Sequence, residues 1–116
     1  MLLRFRLANY RSFRHEAELI LVAGRRTRPG LARRVAWRGD AADPLEVLPV
    51  VGVFGANASG KSNLLKGLQT MANLVRDSFK HRTLRRSPFG LDPAAADEPT
   101  LFEVDFVLEG DRKSVV

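Results

Sequence analysis

Val50-Val51-Gly52-Val53-Phe54-Gly55-Ala56-Asn57-Ala58-Ser59-Gly60-Lys61-Ser62-Asn63 is the stretch that decides how this 116-residue chain folds. From Gly55 it fits G-x-x-x-x-G-K-[ST], a loop that wraps the phosphates of a nucleotide. Residues 50–54 predict a buried strand before the loop, and Asn63 onward predicts a helix after it. Strand, loop and helix in that order are what the motif requires. Gly55 permits the tight turn out of the strand, and Gly60 lets backbone come close to a phosphate. Backbone N–H groups from Asn57 through Ala58 and Ser59 to Ser62 are expected to turn inward as an anion nest. The unpaired N–H groups at the helix start would add to it. Lys61 is the expected cation on the β- and γ-phosphates, and the Ser62 hydroxyl the expected Mg²⁺ ligand. Phosphate oxygens and waters would complete the octahedron around the ion. The expected binding set is therefore Gly55, Ala56, Asn57, Ala58, Ser59, Gly60, Lys61, Ser62 and Asn63. A glycine turn that binds nothing would not explain why Lys follows the second Gly and Ser follows Lys.

Around this centre the chain offers one small core at most. It is 45% hydrophobic and 28% charged, an ordinary globular balance. No apolar run approaches the ~20 residues that span a bilayer, and the start lacks a signal peptide's apolar stretch. No membrane partner is expected, and a cytoplasmic protein is the simplest expectation. With no cysteine, disulfides and thiolate metal sites are excluded. Residues 1–91 hold 17 Lys/Arg against 6 Asp/Glu, whereas residues 92–116 hold 2 against 7. A basic body of this kind fits either a nucleic-acid partner or solvated arginine-rich faces.

Leu3, Phe5 and Leu7 alternate with Arg4 and Arg6 and predict a half-buried strand over 2–9. Residues 16–22, with Ala17, Leu19 and Leu21 on one face, predict a second, and the short link between them implies antiparallel pairing. Residues 23–44 read as a loop rich in arginine (Arg25, Arg26, Arg28, Arg33, Arg34, Arg38) and broken by Gly24, Pro29, Gly30 and Gly39. Trp37 is expected to pack on the core edge. Leu64, Leu65, Leu68, Met71, Ala72, Val75 and Phe79 recur at helical spacing and predict one apolar stripe over 61–79, with Met71 and Phe79 in the core. Lys66, Gln69, Asn73, Arg76 and Lys80 face away. Phe102, Val104, Phe106 and Leu108 alternate with Glu103, Asp105 and Val107 and predict a further strand. Glu109-Gly110-Asp111 predicts a tight hairpin turn, with a return strand from Ser114. His15 and His81 share no spacing with other metal ligands, and no residue is assigned a catalytic role.

Two separated stretches together carry a resemblance. The first strand with Asn9-Tyr10-Arg11-Ser12-Phe13, followed by Gly55 to Leu65, resembles the ABC-type ATPase heads of the RecF, SMC and OLD group. Ala58, where many such heads have glycine, is similar to the bacterial AAA-family ATP-binding branch. So are Pro88-Phe89 with Leu91-Asp92, and Pro99 to Val104. The resemblance implies an α/β P-loop core with an outer antiparallel sheet, as a single partial domain over 1–116 forming the N-terminal lobe of such a head. It implies ATP as the nucleotide, a preference the residues themselves do not decide. It places Arg11 and Ser12 near the nucleotide and lets Asn57 approach the γ-phosphate. It further implies a head-to-head homodimer and roles in phage defence or DNA transactions. The Asp-Glu strand, signature segment and switch histidine of the family are missing, so ATP hydrolysis is expected only of a longer protein. Two rival readings are another P-loop enzyme, such as a small-molecule kinase, and a nucleic-acid-binding module driven by the arginine segment.

Overall fold

Period-two burial builds the first strand. β1 (Leu2–Ala8) buries Leu3, Phe5 and Leu7 and leaves the residues between them half-covered. Beside it runs β2 (Ala17–Ile20). The Leu21 N–H donates to the Leu3 carbonyl at 2.8 Å, Arg4 pairs with Glu18 at 3.3 Å and Arg6 with Glu16 at 3.0 Å. Contacts that run in opposite order along the two segments are those of an antiparallel pair. β5 (Leu101–Leu108) and β6 (Asp111–Val115) complete a four-stranded sheet in the order β2-β1-β5-β6. β5 and β6 are antiparallel, in register from Val104↔Val115 to Leu108↔Asp111. The turn between them has Glu109 at φ 52° and Gly110 at φ 81°. Two successive left-handed residues are what a two-residue hairpin turn demands. The return strand thus starts at Asp111, three residues before the expected Ser114.

The computed structural model describes residues 1–38, 45–80 and 84–116. Gly39, the rest of the predicted loop to residue 44, and His81 lie outside the described residues. The chain forms two compact units, the first comprising residues 1–5, 18–52 and 103–116 and the second residues 6–17 and 53–102.

In the first unit Leu3, Val47 and Val107 form a buried cluster against which Leu21, Val22, Val35, Trp37 and Leu45 pack. Trp37 therefore takes the core-edge position expected of it. The arginine-rich segment is not all loop. It contains β3 (Arg33–Val35), which pairs antiparallel with β4 (Leu45–Val47). Val35 and Val47 supply the burial that glycine and arginine content concealed. β5 shows a second departure from pattern. Its buried positions include the carboxylates Glu103 and Asp105, while Val104 and Phe106 are half-buried and Leu108 is exposed. Arg4 reaches both acids, at 2.5 Å to Glu103 and 3.0 Å to Asp105, and Arg112 reaches Asp105 at 3.3 Å. Burial pushes the Asp105 carboxyl up. Hydrogen bonds from Ser114 and Arg112, with the charges of Arg4 and Arg112, more than offset this and hold it below its ordinary value.

In the second unit Leu7, Tyr10, Met71 and Ala95 are buried. Its helix, α1 (Lys61–Asp77), covers one seam: Gly67 and Met71 are buried, and Leu64, Leu68 and Leu74 half-buried. Lys66, Gln69, Asn73 and Arg76 are exposed as expected. The predicted stripe was too wide. Leu65, Ala72 and Val75 are exposed, and Phe79, expected in the core, is 80% exposed. A seam at i, i+3, i+4 and i+7 takes in 64, 67, 68, 71 and 74, while 65, 72, 75 and 79 fall on the neighbouring arc. The predicted strand over 50–54 is also absent. Residues 51–56 adopt no regular structure, and Phe54 is 93% exposed. A parallel-type strand needs ladder partners on its edges and cover on both faces. Among the described residues nothing pairs with this one.

Candidate nucleotide site

The loop leaves residue 54 and turns into α1 within eight residues, 55–62. A Cβ on Gly55 would lie 2.7 Å from Ser59 Oγ, so only glycine fits there without a shift. The Ser59 N–H donates to the Ala56 carbonyl at 3.2 Å. Ala58 has φ 63° and Gly60 φ 94°. Left-handed residues at a turn are one ingredient of a backbone anion nest. Alanine accepts this conformation at a cost of about 1–2 kcal/mol.

Gly60 is the residue that caps the start of α1, and no side chain bonds to that helix end. The N–H groups there and the positive end of the helix dipole are thus available to an anion. Lys61 folds back over the loop, its Nζ donating to the Gly55 carbonyl at 2.7 Å and the Ala56 carbonyl at 2.6 Å. Ser59 Oγ lies 3.5 Å from the same ammonium. The cation therefore already sits at the loop. Ser62 is exposed beside it, as is Asn57 in the turn. The residues fit a phosphate chain, because an ammonium, a helix start with no side-chain cap and two glycines lie within one short loop. They fit Mg²⁺ only as a partner of bound phosphate. Ser62 offers one hydroxyl, and among the described residues no group of three His, Asp or Glu gathers to hold a metal.

Of the two residues expected from the turn after β1, the structure brings Ser12 to the loop and turns Arg11 elsewhere. Asn63 Nδ2 donates to Ser12 Oγ at 2.9 Å. A Cβ on Gly60 would come within 3.1 Å of Ser12 Oγ and 3.2 Å of the Phe13 ring. The second glycine of the motif is thus required by its φ and by this close approach. Arg11, at φ 50°, donates its backbone N–H to the Ser87 carbonyl at 2.7 Å and its Nε to the Tyr10 hydroxyl at 3.1 Å. Its guanidinium stands 5.5 Å from the Tyr10 ring centre. Asn9 and Phe13 belong to the stretch that carries the resemblance, but the sequence assigned them no role at the site. The available signal was an Asn at a strand end, where a left-handed residue is tolerated.

Arg14 continues the same turn. It forks onto Glu98 at 2.7 and 2.6 Å and donates its Nε to Asp92 at 2.7 Å. The Glu98 and Asp92 hydrogen bonds raise the Arg14 pKa above its ordinary value. The Arg14 hydrogen bond lowers both carboxyls, and for Asp92 the Ala94 N–H adds to it.

This is an α/β protein with antiparallel sheets whose G-x-x-x-x-G-K-S loop opens an α-helix. The family model described as "AAA domain, putative AbiEii toxin, Type IV TA system" matches residues 50–114, more than half of the chain, and the chain belongs to that family. No curated protein and no solved structure matches it. No helix among the described residues is long and apolar enough to cross a membrane.

Proposed function

We propose that the chain binds ATP with Mg²⁺ through residues 55–63, as part of an ABC-type head of the RecF, SMC and OLD kind. The observation that carries this reading is the loop itself, with Lys61 Nζ 2.6–2.7 Å from the loop carbonyls at an uncapped helix start. Membership of an AAA family supports it. Ser62 would hold the ion together with phosphate oxygens, and Ser12 would border the site through Asn63 and Gly60. The same reading assigns hydrolysis to a site that gains a water-orienting carboxylate and a second head docked face to face. Positioning and charge stabilisation are what phosphoryl transfer needs, and the loop supplies part of them. Phage defence or DNA transactions are the settings this reading favours. Titration with a fluorescent ATP analogue tests it. Lys61→Ala should lose about 1.5–3 kcal/mol of triphosphate binding, the worth of a charge-assisted contact. Ser62→Ala should lose chiefly the Mg²⁺-dependent part. Unchanged affinity in Lys61→Ala would sink the assignment.

A second reading concerns nucleic acid. Arg25, Arg26, Arg28 and Arg33 are exposed and, among the described residues, form no ion pair. Such arginines suit a phosphate backbone. Neutralising Arg25, Arg26 and Arg28 together should flatten the fall of affinity with salt. No binding to duplex or single strand at low salt would defeat it.

A further inference from the structure

Asn9 directly follows β1 and is almost closed off from solvent, 3% exposed, at φ 48°. Its side chain is fully engaged. Nδ2 donates to the carbonyls of Ala95 at 2.7 Å, Glu98 at 3.0 Å and Pro99 at 3.3 Å, and Oδ1 accepts the Phe89 N–H at 3.0 Å. Its own carbonyl accepts the Thr100 hydroxyl at 2.9 Å. Only a primary amide offers two donor hydrogens and an acceptor on so short a stem. An aspartate here would turn lone pairs toward three carbonyls.

Directly beyond Asn9, Tyr10 and Phe13 exchange backbone hydrogen bonds of 2.9 Å each and close a tight turn. The turn meets α1 twice. Ser12 accepts from Asn63, and the Tyr10 hydroxyl lies 3.0 Å from Thr70 Oγ1. Ser12 and Phe13 also form the wall that a Cβ on Gly60 would strike. The loop residues 51–59 are themselves exposed. The wall therefore constrains Gly60 from outside the loop.

We propose that Asn9 is a positioning residue for the phosphate loop. It fixes the stem of the turn, and through Ser12 and Phe13 it holds Gly60 and Asn63 in the geometry that receives the phosphates, without touching the nucleotide. The inference rests on the phosphate-loop reading above. Its physical content is preorganisation: apparent affinity falls with the fraction of molecules whose loop is competent.

The test titrates the full chain with a fluorescent ATP analogue and Mg²⁺ and follows thermal stability in parallel. Asn9→Gly keeps the left-handed backbone and deletes the amide. It should weaken binding about three- to tenfold, the fold-change that one or two lost hydrogen bonds convert to. In a Ser12→Ala background the same change should weaken binding less than it does in the parent, because the Ser12 branch of its route is already cut. Amide exchange over residues 57–63 should speed up in Asn9→Gly. Val47→Ala, in the first unit's core, should lower the melting temperature and leave affinity alone. If Asn9→Gly does not fold, Thr100→Val decides, with a loss of about threefold expected. Unchanged affinity in a folded Asn9→Gly, full additivity with Ser12→Ala, or an equal loss in Val47→Ala overturns the proposal. Loss in Lys61→Ala without loss in Asn9→Gly overturns this inference alone. No loss in Lys61→Ala overturns the phosphate-loop reading beneath it.

Discussion

Two short stretches, residues 2–8 and 50–54, both predict strands from sequence and fare differently in the fold. β1 has β2 and β5 on its edges and hides Phe5 completely, whereas 50–54 has no ladder partner among the described residues and leaves Phe54 in water. A strand is a property of its neighbours as much as of its residues, because each buried N–H and C=O must find a partner. Apolar content alone yields an extended segment with its side chains exposed.

The sharpest way to break this comparison is a pair of truncations. Phe5→Ala should cost about 3–5 kcal/mol, the usual loss for a fully buried aromatic, and in a chain this small that endangers folding. Phe54→Ala should stay within about 0.5 kcal/mol, as exposed substitutions do. Urea unfolding of both variants measures the gap. A Phe54 loss as large as that of Phe5 would mean that residues 50–54 are covered in solution.

A second difference is tethering. β1 runs into a turn held by the Arg14 fork, whereas the loop after residue 54 is held by Lys61 on the Gly55 and Ala56 carbonyls and, among the described residues, by no ion pair. Glu98 and Asp92 have folded-state pKa values below their ordinary 4.5 and 3.8. A depressed carboxyl adds stability that is complete above the unfolded value and is lost as pH falls through the folded one. The fork's contribution should therefore hold above about pH 5 and vanish progressively below about pH 4. Arg14→Ala should be less stable than the parent at neutral pH, and the two should converge in acid. Urea midpoints across pH 2–7 would show it, and a constant gap at all pH values would remove the fork from the account.

A small effect of the opposite sign is expected in the loop itself. Ala58→Gly should relieve the cost of φ 63° and raise stability by about 0.5–1 kcal/mol, read as a higher melting temperature. A decrease would show that unfolded-chain entropy outweighs the strain.

What the sequence disclosed was what neighbours along the chain decide. The start of α1, the alternation of β1 and the Glu109-Gly110 turn rest on spacing and local φ, and each stands where it was expected. What it withheld depends on distant partners. Glu103 and Asp105 are buried because Arg4, some hundred residues away, meets them. Arg33 to Val35 pair because Leu45 to Val47 return beside them. The helix stripe was read too wide because hydropathy marks which residues can be covered, not the arc that neighbours reach. At the site, glycine and lysine positions were legible. Ser12 was expected near the loop from the resemblance alone, whereas the contact of Phe13 with Gly60 and the bonds of Asn9 needed segments brought together by the fold.

The grip that residues 9–14 hold on residues 87–100 also sets an order of events in time. Asn9 waits for Ala95, Glu98 and Pro99, and Arg14 for Asp92 and Glu98, partners about eighty to ninety positions later. The Met1 amine waits longest, for Val107. Contacts so far apart must close long loops before they return any stability, and such topologies fold slowly. As the chain emerges from the ribosome, α1 can wind on local bonds alone. The turn that buttresses its first residues cannot set until nearly a hundred residues have been made. The loop of residues 55–62 is thus translated well before it is assembled.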